Sequence, residues 1–209
     1  MVRREQQIDM DTTTQTTAVP YATTLLGKHS PWGKIDHATT LADGIATVST
    51  PSHGGVKLDR KRNAKMPAAV RRKGGWYEED CEWALVVLVF PEAFKPESVE
   101  AAHSSAKGWF PDEYTAITGK PVAVEESYTL QKRAFKAETA NRYVVVSACG
   151  DWHEKVPKSM VGVSATLGGD RGHKAWEAQI HRLVPEDAYA KRGRFGYVLD
   201  GTEPKWEKT

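Results

Sequence analysis

The sequence holds only two cysteines, Cys81 and Cys149. They could close one disulfide at most, and two free thiols are the commoner state for such a chain inside a cell. No apolar run approaches the roughly 20 residues that a membrane helix needs. The two arginines near the start, Arg3 and Arg4, have no apolar stretch behind them, which argues against a secretory signal. A soluble, intracellular protein in the cytoplasm, with no membrane partner, is expected. An excess of one charge is missing too. Lys and Arg number 29 against 27 Asp and Glu, a formal net charge of +2, so any basic surface has to be local. There is no phosphate-cradling glycine loop, dinucleotide fingerprint, HExxH, paired CxxC or nucleophile elbow. These gaps remove many common enzyme classes, and neither a cofactor nor a metal is expected.

What the chain does contain is concentrated in residues 74–94, GGWYEEDCEWALVVLVFPEAF. A glycine pair leads into Trp76 and Tyr77. Glu78, Glu79, Asp80 and Glu82 then form an acidic knot around Cys81, and the most apolar run in the sequence, residues 84–90, ends at Pro91. Asp80 is a plausible N-cap, and Glu78 and Glu79 would sit near the positive end of a helix dipole, so a buried helix is expected over residues 81–90. This segment is the expected centre of the core.

Around it the chain alternates in kind. Residues 1–25 are polar and Thr-rich without apolar periodicity, the composition of a disordered tail. Short β-rich runs at residues 35–41 and 45–50 flank Asp43-Gly44, a hairpin signal, and a third run at 56–58 follows the break Ser52-His53-Gly54-Gly55. A three-stranded antiparallel meander is expected. Asp59 can cap a helix starting at Arg60, and the break at Pro67 fits two helical turns with a bend. Helical patterns follow at residues 97–107, 112–118 and 125–138. Strands are expected at 143–148, 160–167 and 176–184, a short helix after Pro185, one more strand near 195–199, and a tail over 200–209. A strand cluster, a run of helices and a second strand cluster, with no regular βαβ alternation, give an α+β fold. A single domain over residues 30–199 is expected.

Three groups of residues could carry function. The first is the basic stretch Arg60, Lys61, Arg62, Lys65, Arg71, Arg72 and Lys73, the one basic cluster in the chain. It is either a solvated surface or a patch for phosphate or acidic partners. With Trp76, Tyr77 and Trp152 it would suit base stacking or an aromatic protein interface. The second is the set of carboxylates and histidines. His53 and His153 each follow a strand, and with Glu78, Glu79 or Asp151 they could form a metal or acid–base site, or simply be loop histidines in hydrogen bonds. The third is Cys81, a candidate thiolate paired with His153. The flanking acids argue against it, because negative neighbours make a thiolate harder to form.

The segments SPWGK (30–34), TPSHGGVKL (50–58), RRKGGWYEEDCEWA (71–84) and GDWHEKVPKSMVGV (150–163) together resemble an uncharacterised domain family found on phages, plasmids and other mobile elements of proteobacteria. The resemblance spans residues 30–189 and implies an accessory gene product of a mobile element. A counter-defence protein of anti-CRISPR or anti-restriction type is then expected, binding a host defence protein or ribonucleoprotein complex through residues 60–73 and nearby aromatics. The alternatives are a small hydrolase or nucleic-acid-processing enzyme using His53, Glu78, Glu79 and His153, and a direct DNA- or RNA-binding accessory.

Overall fold

The computed structural model describes residues 19–207. It has the α+β class expected: three antiparallel sheets, with the larger two towards the ends of the chain and helices between. Much of the tail expected over residues 1–25 lies outside the described residues. Its last part is not tail-like, because Tyr21–Thr24 forms a 3-10 turn with Ala22 and Leu25 buried. The described chain divides into two compact units. The first runs to Ala106 and includes Ala116–Thr118; the second comprises Lys107–Thr115 and Gly119 onward. No helix among the described residues is long and apolar enough to cross a membrane.

The first unit opens with a two-stranded ribbon, β1 (His29–Ser30) and β2 (Gly33–Lys34). The expected meander follows as β3 (His37–Ala42), β4 (Ile45–Ser49) and β5 (Gly54–Leu58). Asp43-Gly44 makes the first hairpin turn, with Gly44 at φ 71°, a backbone region that glycine enters without penalty. A fourth strand, β6 (Trp76–Glu78), completes the order β3-β4-β5-β6. Strand alternation puts Ala46 and Val48 on one face, where they pack with Ala22, Leu25 and Ile35. Thr47 and Ser49 take the other face.

Between β5 and β6 lie α1 (Arg60–Lys65), capped by the Asp59 carboxylate as expected, and a loop that returns to the sheet. Helix α2 (Trp83–Val89) packs on β5 and β6. Its Ala84, Leu85, Val86 and Val87 are fully buried, so the apolar run is the core element expected. The acids before it differ from expectation. Glu82, not Asp80, stands at the N-cap position, and the first turn of α2 contains no acidic residue. Glu78 belongs to β6, where it pairs with Gly55. Residues 79–82 form a turn between β6 and α2, so the helix starts two residues later than expected.

Helix α3 (Pro96–Trp109) starts in the first unit, and its last residues, from Lys107, belong to the second. Next come α4 (Pro111–Thr118) and α5 (Tyr128–Glu138), whose N-cap Ser127 accepts from the Leu130 N–H. The second unit's sheet is β7 (Tyr143–Cys149), β8 (Met160–Leu167) and β9 (Ile180–Pro185), in that order. The strand expected over 176–184 is shorter. Residues 173–177 form α6 (His173–Glu177) instead, because pairing with β8 begins only at Ile180, opposite Ala165. Helix α7 (Glu186–Ala190) follows. The strand expected near 195–199 reduces to two isolated bridges, Val198 to Val144 and Gly196 to Gly193.

The tail expected over 200–209 is docked as far as it is described. Leu183 N–H donates to the Pro204 carbonyl at 2.9 Å and Trp206 N–H to the His181 carbonyl at 3.2 Å. The Trp206 ring is only 6% exposed. It fills the space above Gly162, where a Cβ would lie 2.8 Å from the indole.

Candidate functional site: a braced basic loop and a His–Glu–Glu cluster

The first unit carries two features with functional chemistry. One is the basic loop, residues 59–76. Tyr77, fully buried, donates its hydroxyl to Asn63 Oδ1 at 2.8 Å and accepts from the Arg72 N–H at 3.2 Å. Asn63 Nδ2 donates to the Arg72 carbonyl at 3.0 Å. Arg71 Nη2 donates to the Ala64 and Met66 carbonyls, both at 2.8 Å, closing the end of α1. Arg72 Nε donates to Glu82 Oε1 at 2.7 Å. Arg62 donates to the Asp43 carbonyl at 2.8 Å and lies over the Phe90 ring. Lys57 donates to the Gly74 carbonyl and stands over Trp76, and burial lowers its ammonium below the ordinary lysine range. The turn itself needs glycine. Gly75 has φ 69°, and a Cβ there would lie 2.5 Å from the Leu58 carbonyl oxygen.

These contacts sort the residues expected to bind a partner. Arg62, Arg71 and Arg72 are directed at the protein's own carbonyls and carboxylates. Tyr77 is a correction: it is buried and braces the loop from inside, so it offers no surface. Trp76 is half-buried, in an edge-to-face contact with Trp32 at 5.9 Å. Arg60, Lys61, Lys65 and Lys73 are exposed and make no ion pair among the described residues.

The second feature is at the end of the sheet. The turn between β4 and β5 is clamped by Thr50, whose Oγ1 donates to the His53 carbonyl at 2.9 Å and accepts from the His53 N–H at 3.2 Å. Glu79 N–H donates to the Gly54 carbonyl at 3.1 Å, tying the end of β6 to the same turn. One ligand atom from each of His53, Glu78 and Glu79 then lies within 4.8 Å of the other two. Glu78 Oε2 accepts from the Asp80 N–H at 2.9 Å, while Glu78 Oε1 is buried without a partner. Glu79 also lines a cleft of about 820 Å³, walled by Thr39, Thr47, Val56, Trp83 and Phe94.

The remaining candidates are placed apart in chemistry. The Cys81 thiol is pushed up by burial first and then by Glu78, Asp80 and Glu82, so it is a poor thiolate. Asp151 and His153 belong to the second unit. Asp151 faces Lys158 at 3.6 Å and accepts from the Ser159 N–H at 3.4 Å; His153 Nδ1 accepts from the Lys155 N–H at 3.2 Å. The His153 ring lies edge-on to Trp206 at 5.6 Å. Trp152, beside it, is 78% exposed.

A family model matches residues 26–140, more than half of the chain. The chain belongs to a family described as a domain of unknown function, DUF7007. The DUF7007 span takes in the basic loop and the His53–Glu78–Glu79 cluster, and stops before β7. The segment GDWHEKVPKSMVGV therefore lies outside it. No curated protein and no solved structure matches the chain.

Proposed function

We propose that the protein is an accessory product of a phage or plasmid that binds a host nucleic-acid-targeting complex, of CRISPR or restriction type, and interferes with it in the cytoplasm. The observation that carries this reading is the bracing of the basic loop. A charge run that only faced water would have no use for a buried tyrosine, an asparagine bridge and three arginines bonded to the protein's own carbonyls and carboxylates. Here that network holds Arg60, Lys61, Lys65 and Lys73 outward on a stiffened frame, which lowers the ordering cost of binding an anionic surface. Groups that fix shape and groups that meet a partner are separate residues. The mobile-element origin rests on the resemblance in sequence.

The test is capture from plasmid-bearing cells at low and high salt. The parent protein retains a defence complex at low salt and loses it steeply as salt rises. The triple variant Lys61→Glu, Lys65→Glu, Lys73→Glu does not retain it, and His53→Ala behaves as the parent. Equal retention by the charge-reversed variant contradicts the reading.

A second reading, a small hydrolase or nucleic-acid-processing enzyme, is favoured by one observation. His53, Glu78 and Glu79, three of the four residues named for that chemistry, converge at one turn, where Glu79 also lines the cleft; His153, the fourth, belongs to the second unit. This reading requires His53→Ala to abolish the activity.

A further inference from the structure

We infer that His53, Glu78 and Glu79 form a binding site for a divalent transition-metal ion of the zinc type. Three independent features point there. The donor set is one imidazole and two carboxylates, drawn from two chain segments and brought within 4.8 Å of one another, a spacing that three ligands around one ion can adopt. One carboxylate oxygen, Glu78 Oε1, is buried with no hydrogen-bond partner, a state that costs free energy unless a cation or donor answers it. Finally, Gly54 lets the Glu79 carboxylate lie over the turn: a Cβ there would lie 2.5 Å from Glu79 Oε2, as well as 2.8 Å from the Val48 carbonyl oxygen.

The frame is rigid for a loop site. Thr50 holds the backbone of His53 on both its N–H and its carbonyl, and the Glu79 N–H is bonded to Gly54. The Asp80 N–H donates to Glu78 Oε2, the kind of outer-shell contact that metal ligands use. The imidazole favours zinc-type ions over magnesium or calcium, which prefer all-oxygen sets. Three protein ligands leave at least one position open for water or another ligand, and Glu79 also lines the cleft. This inference does not rest on the partner-binding role of the basic loop.

Calorimetric titration of the chelator-treated 209-residue chain with Zn²⁺ tests it, with Mg²⁺ as comparison. One zinc per chain is expected, with magnesium far weaker. His53→Ala and Glu79→Gln, both at exposed positions, should each lower zinc affinity ~10-fold or more while leaving the melting temperature of the metal-free protein unchanged. Absence of stoichiometric zinc binding, or binding unchanged in His53→Ala and Glu79→Gln, overturns the inference. Zinc binding can fail while the capture result above stands, and the reverse, so the two are judged separately.

Discussion

Tyr77 shows how much one side chain organises. Its ring is core, and its hydroxyl joins the helix side of the basic loop, through Asn63, to the return side, through the Arg72 N–H. Tyr77→Phe keeps the ring and orphans both partners, so a loss of about 1–3 kcal/mol is expected in urea denaturation. Faster amide exchange over residues 60–76 should accompany it. The sequence marks Tyr77 as an aromatic beside a basic run but not which way it points, because β6 was not legible as a strand. Three residues give weak alternation, and only their register on β5 commits them. Cys81 is the opposite case, since its surroundings could be read directly from the neighbouring acids. With the thiol raised by burial and by Glu78, Asp80 and Glu82, the thiolate is scarce at neutral pH and forms only above the ordinary thiol range. Alkylation of Cys81, followed by mass spectrometry, should be slow at neutral pH and accelerate only at pH above that of a model thiol. Fast neutral-pH labelling would mean an activated cysteine.

At the scale of elements, those with strong local signals were legible: the Asp43-Gly44 hairpin, the Asp59 cap, the apolar run of α2 and the β7 and β8 strands. Elements set by long-range pairing were not. The docked segment at 203–206 is the clearest example. Its composition is that of a tail, yet two backbone hydrogen bonds lay it along β9, and Trp206 buries its indole on Gly162 and donates Nε1–H to the Lys155 carbonyl at 3.2 Å. Removing a buried tryptophan costs about 3–5 kcal/mol. Trp206→Ala should therefore lower the thermal midpoint substantially, and truncation after Gly201 should do the same. An unchanged midpoint would show that the segment is dispensable. The cluster of His53, Glu78 and Glu79 belongs to this class as well. Its members were candidates by residue type, but their convergence depends on the pairing of β5 with β6.

For the whole molecule, the α+β class followed from the order of patterns along the chain. The division into two compact units did not, because no proline- or glycine-rich linker marks it and α3 runs through the boundary. Both candidate features of the first unit fall within the DUF7007 span, whereas Trp152 and His153 fall outside it. The central claim is that the outward cations of the braced loop act against a host defence complex. The most direct measurement is the efficiency with which a targeted plasmid establishes in a host carrying an active defence system. Expression of the parent protein should raise that efficiency, the variant Lys61→Glu, Lys65→Glu, Lys73→Glu should lose the gain while accumulating to the same level, and His53→Ala should keep it. Protection by the charge-reversed variant equal to that of the parent, or no protection by the parent, would contradict the claim.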